Sequence, residues 1–194
     1  LNVVAAEARF DLRAGLAGTG LPAHTFGTHI LATTSVEKTK DVLQVVYDEP
    51  TREIKVYRIN PLTSPTIQSV ASWGTLNASA QFPIITTAEA GGVVYFAHAE
   101  DVLAYRLVTK YWTPGALDTD PGTLTSASAD LDTSGVAGDI YFYSVCAFRG
   151  YIAGFGWGTE ASSTTKDQPH IARLSKPDDP TKWPAELYFL CGSS

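Results

Sequence analysis

At 194 residues, with 44% hydrophobic and 11% aromatic content, the chain has the material for one ordinary domain and is too apolar for global disorder. A net charge of −6 and a pI near 5.1 argue against a face of clustered Lys and Arg that would hold nucleic acid. An acidic wall past which nucleic acid slides is still allowed, because like charges repel along the phosphate backbone.

Only 18% of the residues are charged, and Thr, Ser, Gly and Ala are abundant, which favours sheet and loop over helix. Two cysteines, Cys146 and Cys191, make no metal or disulfide framework and are expected as free, half-buried thiols, a single disulfide being the alternative. No run approaches the roughly 18 apolar residues of a membrane span, so no membrane insertion is expected. No basic stretch followed by an apolar one marks a signal peptide. The chain has no methionine and begins at Leu1, so it reads as a segment of something longer.

Residues 1–25 read as an N-terminal arm or connector closed by Gly18, Gly20 and Pro22. His29–Ser35 (HILATTS) reads as a first strand. Val42–Tyr47 and Ile54–Ile59 then form a hairpin across a six-residue connection, DEPTRE, with Lys55 and Arg58 alternating against apolar neighbours. Pro61–Gln68 is an extended connector, and Ser69–Gln81 is polar and ambiguous. Phe82–Ala90 reads as a strand turned by Gly91-Gly92 into Val93–Ala99, followed by Val102–Leu107. A long acidic Ser/Thr-rich loop then leads to the clearest unit, Asp139–Pro184: strand, tight turn, glycine-aromatic strand, loop, short strand and a proline-aspartate turn closed by Trp183.

The units repeat. VYRI (Val56–Ile59), AYRL (Ala104–Leu107) and IARL (Ile171–Leu174) each set an arginine between apolar residues, at Arg58, Arg106 and Arg173. Upstream of each lies a strand rich in Val, Tyr and Phe. Arg58 and Arg106 are 48 residues apart and Arg106 and Arg173 67, the second spacing stretched by an insertion around GTEASSTTKDQP; a period of about 45–50 residues, with four short strands in each, is the mark of propeller blades. The expected fold is all-β: antiparallel β-propeller-like blades, about three of them, at approximately 26–68, 69–115 and 116–194. Three blades cannot close a ring and leave edges unpaired, so they are expected to belong to a larger propeller or ring assembly.

Reaction chemistry finds little support. His24, His29, His98 and His170 form no HExxH or HxH pattern, so they are read as structural or surface residues and no metal site is expected. Asp118, Asp120, Asp130, Asp132 and Asp139 look like pieces of a calcium loop, but an EF-hand's glycine and terminal glutamate are missing; a solvated acidic loop is favoured. With 20 acidic residues a glycosidase-like carboxylate pair can always be drawn, which gives it no force. Ser144 and Ser175 lack a base partner. Gly154-Phe155-Gly156-Trp157-Gly158 lies between strands and opens no helix, so its glycines are read as room for aromatic rings at a strand bend rather than as a nucleotide loop. Asn77-Ala78-Ser79 fits a glycosylation triplet, to which the missing secretory signal gives little weight.

Tyr151–Gly158 (YIAGFGWG) followed by Ala172–Pro184 (ARLSKPDDPTKWP) resembles a pattern in β-propeller tail proteins of short-tailed bacteriophages, the nozzle and packaged-DNA-stabilising accessory proteins below the portal. Ser175, Pro177, Asp179, Pro180, Thr181 and Trp183 match it, with Asp178 where glycine is common. Sialidase Asp-boxes share the Ser, Asp and Trp flavour but not the spacing or the central glycine. From the residues alone, Pro177 and Pro180 rigidify a turn, Asp179 accepts backbone N–H bonds within it, and Trp183 folds back as an apolar lid.

The resemblance implies a virion protein of the phage tail: a homo-oligomeric ring that extends the DNA channel, contacts portal or adaptor and tail-fibre proteins, and passes DNA without specific binding. It implies no catalysis and no cofactor. Two other readings stay open: a carbohydrate- or protein-binding propeller presenting Trp73, Tyr111 and Trp112, and a propeller glycosidase with carboxylates at its axis.

Overall fold

The computed structural model of the chain describes residues 27–36, 38–59, 67–76, 83–99, 107–113, 122–125, 139–158 and 168–192. Every regular element among them is a strand, and the twelve strands form three antiparallel four-stranded sheets, each a simple meander. Sheet one holds β1 (Thr28–Ser35), β2 (Val42–Asp48), β3 (Glu53–Ile59) and β4 (Ile67–Thr75). Sheet two holds β5 (Ile85–Ala90), β6 (Val93–His98), β7 (Lys110–Trp112) and β8 (Gly122–Thr123). Sheet three holds β9 (Ser144–Phe148), β10 (Tyr151–Trp157), β11 (Gln168–Leu174) and β12 (Tyr188–Leu190). The all-β, propeller-like arrangement is the one expected.

The divisions between sheets fall later than the sequence suggests. β4 carries sheet one on to Thr75, past residue 68, and β8 carries sheet two into the acidic loop, where Leu124 is fully buried. Residues 69–75 of the run that reads as polar and ambiguous are therefore strand: Ala71 and Trp73 are buried, while Ser72 and Thr75 face solvent. The β2–β3 connection is shorter than six residues, because Asp48 and Glu53 pair with each other and leave only residues 49–52 in the turn.

The expected arm at 1–25, Asn77–Ser79, residues 102–106 of the expected strand Val102–Leu107 with Arg106, Asp118, Asp120, Asp130, Asp132 and His24 lie outside the described residues, and Leu107 itself is not in a strand.

The sheets pack face on face. Strand alternation sends Val94 and Phe96 of β6 toward sheet one and Val93, Tyr95 and Ala97 toward sheet three. All six β6 residues are consequently buried, and the run VVYFAH shows no polar face. On one side Leu43, Val45, Tyr47, Ile54, Val56 and Trp73 of sheet one meet Val94, Phe96 and Trp112. On the other, Tyr95 and its neighbours meet Phe142, Val145, Ile152, Trp157 and Trp183.

Hydroxyl groups stitch the first strands of the sheets to one another. Thr34 of β1 and Thr87 of β5 meet hydroxyl to hydroxyl at 2.5 Å, and the Thr86 hydroxyl accepts the Val145 N–H of β9 at 2.9 Å.

The glycines of β10 make room for rings, as their spacing suggests. A Cβ at Gly154 would sit 2.6 Å from the Phe142 ring, and Gly156 combines a φ of +62° with close contact to Tyr143. The β10–β11 register slips between Phe155 and Trp157, beside Gly156. Gly154→Ala is expected to cost about 1–3 kcal/mol by overpacking, read as a lower urea midpoint; an unchanged midpoint would mean that Phe142 can move aside.

Candidate functional site

The proline-aspartate corner after β11 is built from its ends inward. Ser175 is fully buried and closes the β10–β11 pair twice: its N–H donates to the Ile152 carbonyl at 2.9 Å, and its hydroxyl accepts the Ile152 N–H at 2.9 Å. The turn is then held by Lys176 N–H to the Lys182 carbonyl (2.8 Å) and Lys182 N–H to the Asp179 carbonyl (3.0 Å). Asp179 Oδ1 accepts both the N–H (3.2 Å) and the hydroxyl (2.5 Å) of Thr181, a local side-chain turn that keeps the carboxylate on the surface. Pro177 is exposed on the outer bend, whereas Pro180 is buried with its ring near Gly91 of the β5–β6 turn.

Trp183 is more wedge than lid. It is fully buried between sheets two and three, edge-on to Tyr95 at 5.3 Å and 4.9 Å from the Phe142 ring. Its indole N–H donates to the Tyr95 hydroxyl at 3.0 Å, and that hydroxyl donates to the Pro180 carbonyl at 3.0 Å. Every polar atom at the centre of the wedge thus has a partner. Burial pushes the Tyr95 phenol well above its ordinary pKa, opposed by the Trp183 N–H, so Tyr95 remains a neutral donor.

The arginines divide. Arg58 lies on β3 facing sheet two, paired with the fully buried Asp41 at 3.1 Å and 5.7 Å from the Trp112 ring. Arg173 lies on β11, also facing sheet two, 4.5 Å from the Trp157 ring, and donates to the Ala185 carbonyl at 3.4 Å. Desolvation lowers the Arg173 pKa, with Tyr188 opposing it. Both sit on third strands against tryptophan, which suits a structural role. They are not equivalent positions, however. Arg58 points forward to the next sheet and Arg173 back to the preceding one, so the repeated arginine marks similar strands but not a common register.

Other candidates scatter. His98 is buried in the first interface and accepts the Leu107 N–H at its Nδ1 (3.0 Å); burial lowers its pKa to about 4. His29 meets Glu49 at 3.2 Å near the surface, and His170 is exposed. Asp139 is exposed. Among the described residues no three His, Cys, Asp or Glu side chains converge as metal ligands. Cys146 and Cys191 are both free and both exposed, rather than half-buried. Trp73 and Trp112 are buried and Tyr111 stacks on Tyr95 at 5.5 Å, so the aromatic side chains expected on a binding face belong to the interior. β1, β5 and β9, the strands that meet at the centre of the stack, carry hydroxyls and a single carboxylate, Glu89, which accepts the Gly92 N–H inside its own hairpin.

Sequence reasoning missed the hydroxyl stitches. The signal was present, because β1 and β5 each contain a Thr-Thr pair: Thr34 of the first faces sheet two, and Thr87 and Thr86 of the second face sheets one and three. It also missed Thr109, fully buried, whose hydroxyl accepts the Phe142 N–H at 2.8 Å.

Ser175→Ala leaves the buried Ile152 N–H without an acceptor and is expected to cost about 1–3 kcal/mol. Hydrogen exchange should show the Ile152 amide losing protection more than its neighbours, and unaltered protection there would contradict the assigned bond.

No protein-family model matches the chain, and no curated protein matches it either.

Proposed function

We propose that the chain is a structural protein of a bacteriophage tail, a subunit of a nozzle- or hub-type ring that extends the DNA channel and takes part in retaining and releasing the genome. The observation that carries this reading is the Ser175–Trp183 corner. The residues through which the sequence resembles the tail proteins are committed to closing a sheet and wedging two sheets together, through the Ser175–Ile152 and Trp183–Tyr95–Pro180 hydrogen bonds. The net charge of −6 suits a conduit, since a basic lumen would hold phosphate and stall its passage.

In this role the partners are further copies of the chain, portal or adaptor and tail-fibre proteins, with DNA passing through unbound, and the location is the virion. The experiment is native mass spectrometry with negative-stain imaging of the purified chain. A closed ring of several copies is expected. A stable monomer that hydrolyses glycans would overturn the reading.

A further inference from the structure

We propose that the outer face of sheet three is the surface through which a second copy of this chain joins in a head-to-tail ring. The proposal rests on the ring reading above and deepens it by naming the contact.

Sheets two and three begin with hairpins of the same register, closed by turns of the same kind. Gly91-Gly92 and Arg149-Gly150 are both two-residue turns with positive φ at both positions, +60° and +86° in one and +48° and +84° in the other. Aligning the turns matches Thr86, Ala88 and Ala90 of β5 with Ser144, Cys146 and Phe148 of β9. It likewise matches Val93, Tyr95 and Ala97 of β6 with Tyr151, Ala153 and Phe155 of β10. The first set is the face of sheet two that sheet three covers. The second is the same face one sheet further on, and it is open in part: Phe148 is 52% and Phe189 44% exposed and Cys146 is exposed, whereas Ala153 and Ala172 on it are buried.

The match extends to chemistry. Thr86 accepts an N–H from the sheet packed against it, and its counterpart Ser144 offers another hydroxyl at the same place. None of Ser144, Cys146, Phe148, Tyr151, Phe155 and Phe189 is charged, and the nearest cation, Arg149, lies at the rim over the Phe148 ring at 5.4 Å. Two copies that each carry −6 can approach there without like charges meeting.

At the opposite end of the stack, Gln44, Val46, Tyr57 and Ile59, which face away from sheet two, are already buried. Among the described residues the two outermost faces therefore differ: Phe148 and Phe189 are exposed on that of sheet three, no large hydrophobic side chain is exposed on sheet one, and Ile84, Tyr188 and Leu190 are exposed elsewhere. A ring requires that a subunit's two contacts differ, so this face meets another surface of the next copy and not its own twin.

The test compares the full chain with Phe148→Glu by native mass spectrometry, and follows the reaction of Cys146 and Cys191 with a thiol reagent. The expected result is a multi-copy ring that Phe148→Glu reduces to folded monomers, with the ring's thiols reacting roughly tenfold or more slower than those of the denatured chain. A ring unchanged by Phe148→Glu, with freely reacting thiols, overturns this contact and leaves the ring reading standing. A wild-type monomer overturns both. A closed dimer overturns the head-to-tail arrangement. Should Phe148→Glu fail to fold, the thiol rates in the wild-type ring decide.

Discussion

Replacing Trp183 with alanine is expected to lower stability by about 3–5 kcal/mol, the usual cost of deleting a fully buried tryptophan. The cost here has three parts. The ring fills the seam between sheets two and three against Tyr95 and Phe142. Its N–H satisfies the Tyr95 hydroxyl, which in turn holds Pro180 and so the corner. The residues around the seam belong to different sheets and cannot collapse into the void without shifting a whole sheet. With a urea slope of about 2 kcal/mol/M, the midpoint should fall by roughly 2 M. Since whole domains are stable by only about 5–15 kcal/mol, this one change takes a large share. The same truncation at Tyr188, which is 51% exposed, should cost no more than about 0.5 kcal/mol. Equal losses at the two positions would contradict the wedge.

The second large effect is on pH. His98 is 3% exposed, and its Nδ1 is occupied as an acceptor, so the folded protein holds it neutral with a pKa of about 4 against an ordinary 6.5. A histidine whose folded pKa is depressed contributes its full stability above the unfolded value. That contribution is lost as pH falls from about 6.5 toward 4, where the unfolded chain binds the proton and the folded one does not. Two and a half pH units correspond to about 3 kcal/mol. His98→Asn keeps an acceptor for the Leu107 N–H and removes the titration. Comparing unfolding free energies at pH 7.5 and 4.5, the wild type should lose about 2–3 kcal/mol more than the variant, and parallel losses would show that His98 is not held neutral.

Much of this architecture was legible, and the boundary of legibility has a physical origin. The hairpins β2–β3, β5–β6 and β9–β10 announce themselves through β-branched and aromatic runs on either side of turn residues. β4 hides because an outermost strand can be made largely of Ser, Ala, Gly and Thr, here with one tryptophan and only two β-branched apolar residues, Ile67 and Val70. The apolar run of β6 shows that both of its faces are buried, but nothing in it tells which sheet lies on which side.

The corner at Ser175–Trp183 reads as a turn from its prolines and Asp179. That Trp183 finds its partner at Tyr95, 88 residues earlier, depends on how the sheets stack, which no local pattern encodes. The arginine repeat misled for a related reason. Placement on a third strand follows from the sequence, whereas the face that a residue takes depends on registers and bulges such as the slip beside Gly156.

Sheets one, two and three stack face on face with their first strands in contact, and every contact between sheets described above depends on that stack. Thr34→Cys with Thr87→Cys, in a chain whose native cysteines are changed to serine, tests this directly, because the two hydroxyls now meet at 2.5 Å. The pair is expected to oxidise to a disulfide within one chain and to stabilise it by about 4 kcal/mol, as for closing a loop of some fifty residues. Two thiols that stay reduced under mild oxidation while the chain remains folded would contradict the stack.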